Sequence, residues 1–396
     1  MNILHINDKI EISGGVETNI QQLCEFSSDF GVQTQWIGIY KEDAYQIKWF
    51  KDAGTNLSDA RLDEVLNFLS KTVKKKEIDI IHIHSLSNPE IIRHCFQISK
   101  VVRSMHEPRI VCPGQGKFWR NSERICNQPF GLHCIYHAFK EGCVNRHPKR
   151  LINAYKNVAF ETTEGKENYA AIFAMSQYMV DEALKVGYTK EQLVYNPYFT
   201  AIVEEENLKD QTHSNTKSII FVGRLSKTKG VHYFIECGLQ LLEKDYDIQL
   251  DIVGDGHDAA YFKSLVPEEF KDKFTFHGWQ SRDQIDDLIN QSYLMVFPSI
   301  YPEAFGISGI EAMMRGKPVV GFDVGGVSTW LKDNKTGHLV PVKDTEAMQE
   351  KIATLIKNKE QYKKFSQNAR TIALEEFSVK RHMNTLVVTY KRIKNY

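Results

Sequence analysis

The stretch SIYPEAFGISGIEAMMRGKPVV, residues 299–320, sets two carboxylates, Glu303 and Glu311, eight residues apart on either side of Gly306. A carboxylate accepts hydrogen bonds from paired hydroxyls, so Glu311 has the chemistry to hold both hydroxyls of a ribose and Glu303 those of a second sugar. Gly306 permits the tight turn by which YLMVFPS gives way to a helix around GIEAMM, and that helix ends at Gly316 and Pro318. Free amides at the helix start, with the helix dipole behind them, favour an anion. A second anion site is legible upstream. In SIIFVGRLSKTKGVHYFIE a strand ends at Gly223, a helix begins near Gly230, and the loop between them carries Arg224 and Lys229. A guanidinium fork beside a mobile ammonium suits a diphosphate. Taken alone, the basic pair reads first as a solvated loop and the bare glutamate pair as a common surface spacing, whereas the entire string 299–320 does not read as coincidence.

Other residues could do chemistry. Ser13-Gly14-Gly15 follows the first strand, where glycines let backbone approach a ligand, or simply turn. His106 ends KVVRSMHE at the carboxyl end of a strand, while His82 and His84 fall within IDIIHIHS. A lone histidine is more often structural than catalytic, and position is what favours His106. IQLDIVGDGHDAAYFK carries Gly254, Gly256 and Ala259 in the alanine-ended form of the dinucleotide fingerprint. It lies deep in the second half instead of in a first strand-helix unit, so a tight turn is the preferred reading over a nicotinamide site. Cys112, Cys126, Cys134 and Cys143 share one window with His133, His137 and His147 nearby. Four close thiols could hold a structural zinc that fixes a long loop, but no CxxC pair is present, and free thiols or disulfides remain equal readings.

These residues need elements to position them. A chain of 396 residues exceeds the size of one ordinary core, which predicts two domains. Fifty basic residues balance fifty acidic ones, so charge gives no global preference for nucleic acid. MNILHIND lacks the features of a signal peptide and no window approaches a membrane span, which predicts a soluble, cytoplasmic protein. Short β-branched runs alternate with amphipathic segments: NILHI, TQWIGIY, IDIIHIH, KVVRSMH and AIFAMS, then SIIFVG, IQLDIVG, FTFHG, YLMVFPS, PVVGFD and GHLVPV. Such alternation predicts α/β domains with parallel sheets covered by helices. YNPYFTAIVEEENLKDQTHSNTK reads as a junction, giving domains over 1–195, with a cysteine-rich loop at 112–143, and over 196–375, then a terminal helix over 376–396 packed back on the body. Lys74, Lys75, Lys76, Arg146, Lys149, Arg150 and Lys156 all fall in the first domain and could bring it to an anionic membrane surface at the inner face of the cytoplasmic membrane; a solvated surface is the plainer reading.

EAFGISGIE resembles the glutamate-seven-residues-glutamate signature of retaining glycosyltransferases, and GRLSKTKG resembles their diphosphate loop. Together with SGGVE, AMSQYM and EAMMRGKPVVGFDVGG, the order resembles glycosyltransferase family 4 over nearly the whole chain. The resemblance implies the GT-B fold, two Rossmann-like domains with parallel sheets facing a central cleft. It implies an acceptor held mainly by the first domain and a nucleotide sugar mainly by the second, with no metal needed for catalysis. By the same resemblance Gly14, Gly15, Arg224, Lys229, Gly306, Ile307 and Glu311 would bind the donor, and His106 and Glu303 would act at its sugar. The expected activity is retaining transfer from a UDP-sugar, or a GDP-sugar, to a saccharide or lipid-linked acceptor in bacterial surface polysaccharide synthesis. A nucleotide-sugar epimerase and a non-catalytic nucleotide-sugar-binding protein are the alternatives.

Overall fold

The computed structural model describes residues 1–11, 14–41, 43–52, 56–200 and 216–395; Ser13 and most of the junction segment lie outside the described residues. The chain divides into two units, Met1–Tyr198 with Val379–Tyr396, and Phe199–Ser378. Both divisions fall slightly later than the sequence boundaries at 195 and 375, and the terminal helix belongs to the first unit.

The first unit is built on β1 (Asn2–Asn7), β2 (Gln33–Lys41), β3 (Tyr45–Trp49), β4 (Leu57–Ala60), β5 (Ile80–Ile83), β6 (Lys100–Met105), β9 (Ala171–Ala174) and β10 (Leu193–Tyr195), with a separate hairpin of β7 (Phe118–Trp119) and β8 (Arg124–Ile125). The sheet order is β10-β9-β6-β5-β1-β2-β3-β4. The central pairings are parallel, and Ile3, Leu4, Ile80, Ile81, Val102 and Ile172 are fully buried, as strands covered on both faces must be. β3 and β4 extend the edge antiparallel and were not expected from the sequence. Tyr45, Ile47 and Trp49 are buried and alternate with more exposed Gln46 and Lys48, a half-buried pattern too short to stand out between polar loops. The helix Val379–Lys394 buries His382, Met383, Leu386, Tyr390 and Ile393, and Lys394 pairs with Asp79 at 2.9 Å.

The second unit carries β11 (Lys217–Val222), β12 (Ile248–Val253), β13 (Phe274–Gly278), β14 (Leu294–Phe297), β15 (Val319–Phe322) and β16 (Gly337–Val340) in the order β13-β12-β11-β14-β15-β16, all parallel. The strand order reverses between β11 and β14, and in the first unit between β1 and β5. A reversal in an open parallel sheet leaves a crevice at the carboxyl ends of the two strands, where such sheets bind ligands.

Helix Ile307–Met314, which follows β14, is fixed by Trp330. That fully buried indole donates to the carbonyl of Phe305 at 2.6 Å and lies against Gly309, where an added β-carbon would overlap its ring. Overpacking of this kind destabilises by about 1–3 kcal/mol. Gly309→Ala is therefore expected to lower stability by that amount in chemical denaturation; an unchanged midpoint would contradict this packing.

Candidate functional site

In the second unit the loops at the strand reversal are locked together by close backbone contact. Gly230 starts helix Val231–Leu242 with φ +73°, and a β-carbon there would overlap the carbonyl of Pro298 just beyond β14. The amides of Ile300 and Tyr301 donate to the carbonyl of Thr228 at 3.0 and 3.3 Å. This brings Lys229 to Glu303, with Nζ 2.6 Å from Oε1. Ser299 Oγ donates to the same carboxylate oxygen at 2.7 Å. The backbone carbonyl of Glu303 accepts from the amide of Gly326 at 2.7 Å, and Gly325, at φ +51°, packs too close to Glu303 to allow a side chain. Glu303 thereby ties together the loops after β11, β14 and β15. It is 8% exposed, and a carboxylate so deeply placed needs the cation and hydroxyl it receives.

Arg224 lies on the same β11 loop. Its side chain is exposed and makes no hydrogen bond or ion pair among the described residues, so the guanidinium fork is available to an anion. Gly306, at φ +102°, starts the helix Ile307–Met314, and no side chain caps it. The amide of Gly309 donates to the Gly306 carbonyl at 3.1 Å, which leaves the amides of Ile307 and Ser308 without helical acceptors. The arginine, the lysine and the helix start expected from the sequence all lie on the loops at this strand reversal.

Glu311 is buried one turn into the same helix and is met by Arg282, a residue the sequence reading missed. Arg282 also contacts Asp286 at 3.2 Å, and Asp286 pairs with Arg315 at 2.9 Å. Ser281 and Gln284 form a capping box that starts helix Arg282–Gln291 and fixes the arginine in its first turn. A cation there opposes the helix dipole, and that misfit was the available sequence signal for an acidic partner.

The dinucleotide-like glycines have a different use. A β-carbon on Gly254 would overlap the carbonyl of Gly223, and one on Gly256 that of Leu225. Leu225 donates its amide to the carbonyl of Asp255 at 2.9 Å, and Asp258 Oδ2 accepts from the amide of Lys227 at 3.0 Å. This turn buttresses the loop of Arg224 and Lys229, which accounts for both glycines without a nicotinamide cofactor.

In the first unit Gly14 precedes helix Gly15–Phe26 in extended backbone, and a β-carbon would make only an ordinary 3.5 Å contact with Glu17. Among the described residues nothing demands glycine there. His106 does stand at the carboxyl end of β6, but both ring nitrogens are engaged. Nε2 lies 2.8 Å from His84 Nδ1, and Nδ1 meets the hydroxyl of Tyr198. His84 Nε2 lies 2.9 Å from His5 Nδ1, while His82 bonds Tyr390 at 2.5 Å and Ser104 at 2.8 Å. His106 is thus a link in a buried chain instead of a free base. Each neutral ring has one N–H, so the donor direction chosen at Tyr198 sets the tautomers of His106, His84 and His5 together.

Among the described residues, His5, His82 and His84 form the group of three ligand atoms within 4.8 Å of one another. Hydrogen bonds within the protein account for the interacting nitrogens, so the cluster needs no metal. The thiols of Cys112, Cys126, Cys134 and Cys143 are all free and half-buried.

Burial depresses His5 and His106 to about 3 and His382 to about 4, from 6.5. The rings stay neutral when folded and take up protons on unfolding, so stability is full above about pH 6.5 and falls as pH drops toward the folded values. Denaturation midpoints are expected to decline already between about pH 6.5 and about 5.5, above the range where most carboxylates titrate. A flat profile there would contradict the neutral chain.

Residues 203–372 match the family described as Glycosyl transferases group 1. An alpha-D-kanosaminyltransferase of Streptomyces kanamyceticus is 31% identical over 176 residues, covering 44% of this chain and 45% of the relative. A lipopolysaccharide 1,2-N-acetylglucosaminetransferase of Salmonella typhimurium is 26% identical over 266 residues, covering 62% and 66%. The chain thus spans less than two thirds of either relative. The structure of Anabaena HepE in complex with UDP superposes with a TM-score of 0.67 at 17% identity, over 99% of this chain and 100% of that one. The fold is GT-B, and its second unit carries the sequence pattern of the group 1 glycosyl transferases.

Proposed function

We propose that the protein is a retaining glycosyltransferase that moves a sugar from a nucleoside-diphosphate sugar to a saccharide or lipid-linked saccharide acceptor, in bacterial surface polysaccharide synthesis. A UDP-sugar is preferred over a GDP-sugar. The carrying observation is the grouping, at one strand reversal, of an arginine whose side chain has no partner among the described residues, a lysine already seated on Glu303 and an uncapped helix start. The match of residues 203–372 supports transfer chemistry, and the lipopolysaccharide relative and the UDP complex support the acceptor class and the base.

In this reading Arg224 and Lys229 hold the diphosphate, with the amides at Gly306 and Ile307 beside it. As the glycosidic bond breaks, its electron pair passes to the diphosphate oxygen. The arginine, lysine and helix start favour that growing charge more than the ground state, which lowers the barrier. Lys229 has three donors and can serve a phosphate without leaving Glu303. Glu303 accepts from hydroxyls of the donor sugar through the oxygen that Lys229 and Ser299 leave open, and Glu311 from the ribose. The acceptor hydroxyl attacks on the face from which the leaving group departs and loses its proton to that leaving phosphate, so configuration is retained without a covalent nucleophile or a catalytic metal.

The test is thermal stabilisation by UDP, GDP, ADP and NAD in parallel, because a ligand that binds the folded state raises its apparent stability. Stabilisation by one nucleoside diphosphate, weakened about tenfold to a hundredfold in affinity by Arg224→Ala and by Glu311→Ala, is the expected outcome. A response to NAD alone, or one indifferent to both substitutions, would overturn the site.

A further inference from the structure

The segment between Glu107 and Pro148 presents a surface that the donor site does not use. Helix His133–Glu141 buries Ala138 and Glu141 and half-buries Cys134 and His137 on one face. Its opposite face carries Leu132, just before the helix, with Ile135, Tyr136 and Phe139, a helical spacing of one apolar stripe. These side chains are 79%, 42%, 61% and 57% exposed, and Ile152 on the following helix is 51% exposed. Five of the ten large hydrophobic residues most exposed among the described residues thus fall within residues 132–152. A helix apolar on its outward side is normally covered by something.

The surroundings say by what. Arg120, Arg124, Lys140, Lys149, Arg150 and Lys156 are exposed and form no ion pair among the described residues, while Glu141 is buried. Arg146 is also exposed and donates to the carbonyl of Ala138 at 3.3 Å, at the end of the apolar helix. A second copy of the chain would bring the same basic rim against itself, which an isologous contact disfavours. An anionic bilayer offers the complementary charge together with an apolar layer for the stripe. We propose that this helix face docks on an anionic membrane surface, with Leu132, Ile135, Tyr136 and Phe139 entering the headgroup region and the basic rim meeting lipid phosphates. No helix among the described residues is long and apolar enough to cross a membrane, so the contact is with one leaflet. The inference does not depend on glycosyl transfer.

The test is sedimentation of the full chain with vesicles. Binding is expected with phosphatidylcholine containing about a quarter phosphatidylglycerol at about 0.1 M salt, and release at about 1 M, where the Debye length falls from ~10 to ~3 Å. L132S/F139S should weaken partition about tenfold or more, and K149E/R150E should remove the preference for anionic lipid. Both variants alter exposed side chains, so melting temperature and nucleotide stabilisation should stay unchanged; that control separates this proposal from the donor site. No binding to anionic vesicles, or binding indifferent to both variants, would overturn it. So would a dimer in solution that L132S/F139S dissolves without any vesicle binding.

Discussion

A carboxylate taken out of water must be met by donors, and in the second unit the loops are arranged to meet one. Glu303 receives Lys229 from the loop after β11 and Ser299 from the end of β14, and gives its carbonyl to Gly326 after β15. Lys229 is about one-third exposed, so solvent screens part of the attraction, but losing it would leave the carboxylate in a site that expects a cation. The glycines follow from the same arrangement. Gly230 and Gly325 let the backbones come close enough for these bonds, and Gly254 and Gly256 let the β12 loop support them from behind. A ligand with a diphosphate and several hydroxyls would therefore meet groups already oriented, with little reorganisation left for the reacting state.

The first unit solves a related problem without a net charge. His5, His84, His106 and Tyr198 cross the strand reversal as one hydrogen-bonded line, and burial keeps the rings neutral. A neutral line of this kind is rigid because changing one tautomer requires changing its neighbours. It holds the carboxyl ends of β1, β5 and β6 in register, with His82 tied in addition to Tyr390 of the returning terminal helix. That bond gives the last segment of the chain a reason to belong to the first unit.

Much of this was legible in the sequence because it is local. The alternation of buried runs with helices, the stop at Gly316 and Pro318, and the turn at Gly306 all depend on neighbours in the chain. What was not legible depends on partners far away in sequence. Arg282 reaches Glu311 across the ends of two strand-helix connections, and only its awkward place in a first helical turn hinted at it. The engagement of both nitrogens of His106 needs the pairing of β1, β5 and β6, which no periodicity reveals. The apolar stripe of 132–139 could have been read from its spacing, but an outward-facing stripe has the same pattern as a buried one, and burial decides between them.

The most direct measurement is proton NMR of the anomeric signal during turnover, using the sugar of whichever nucleoside diphosphate stabilises the protein, with and without a saccharide acceptor. Glycosyl transfer with retention predicts that the donor signal declines only when acceptor is present and that the new glycoside keeps the donor's anomeric configuration. A product of inverted configuration would contradict the mechanism. Conversion of the free nucleotide sugar to an epimer without acceptor, or no change at all, would contradict the function.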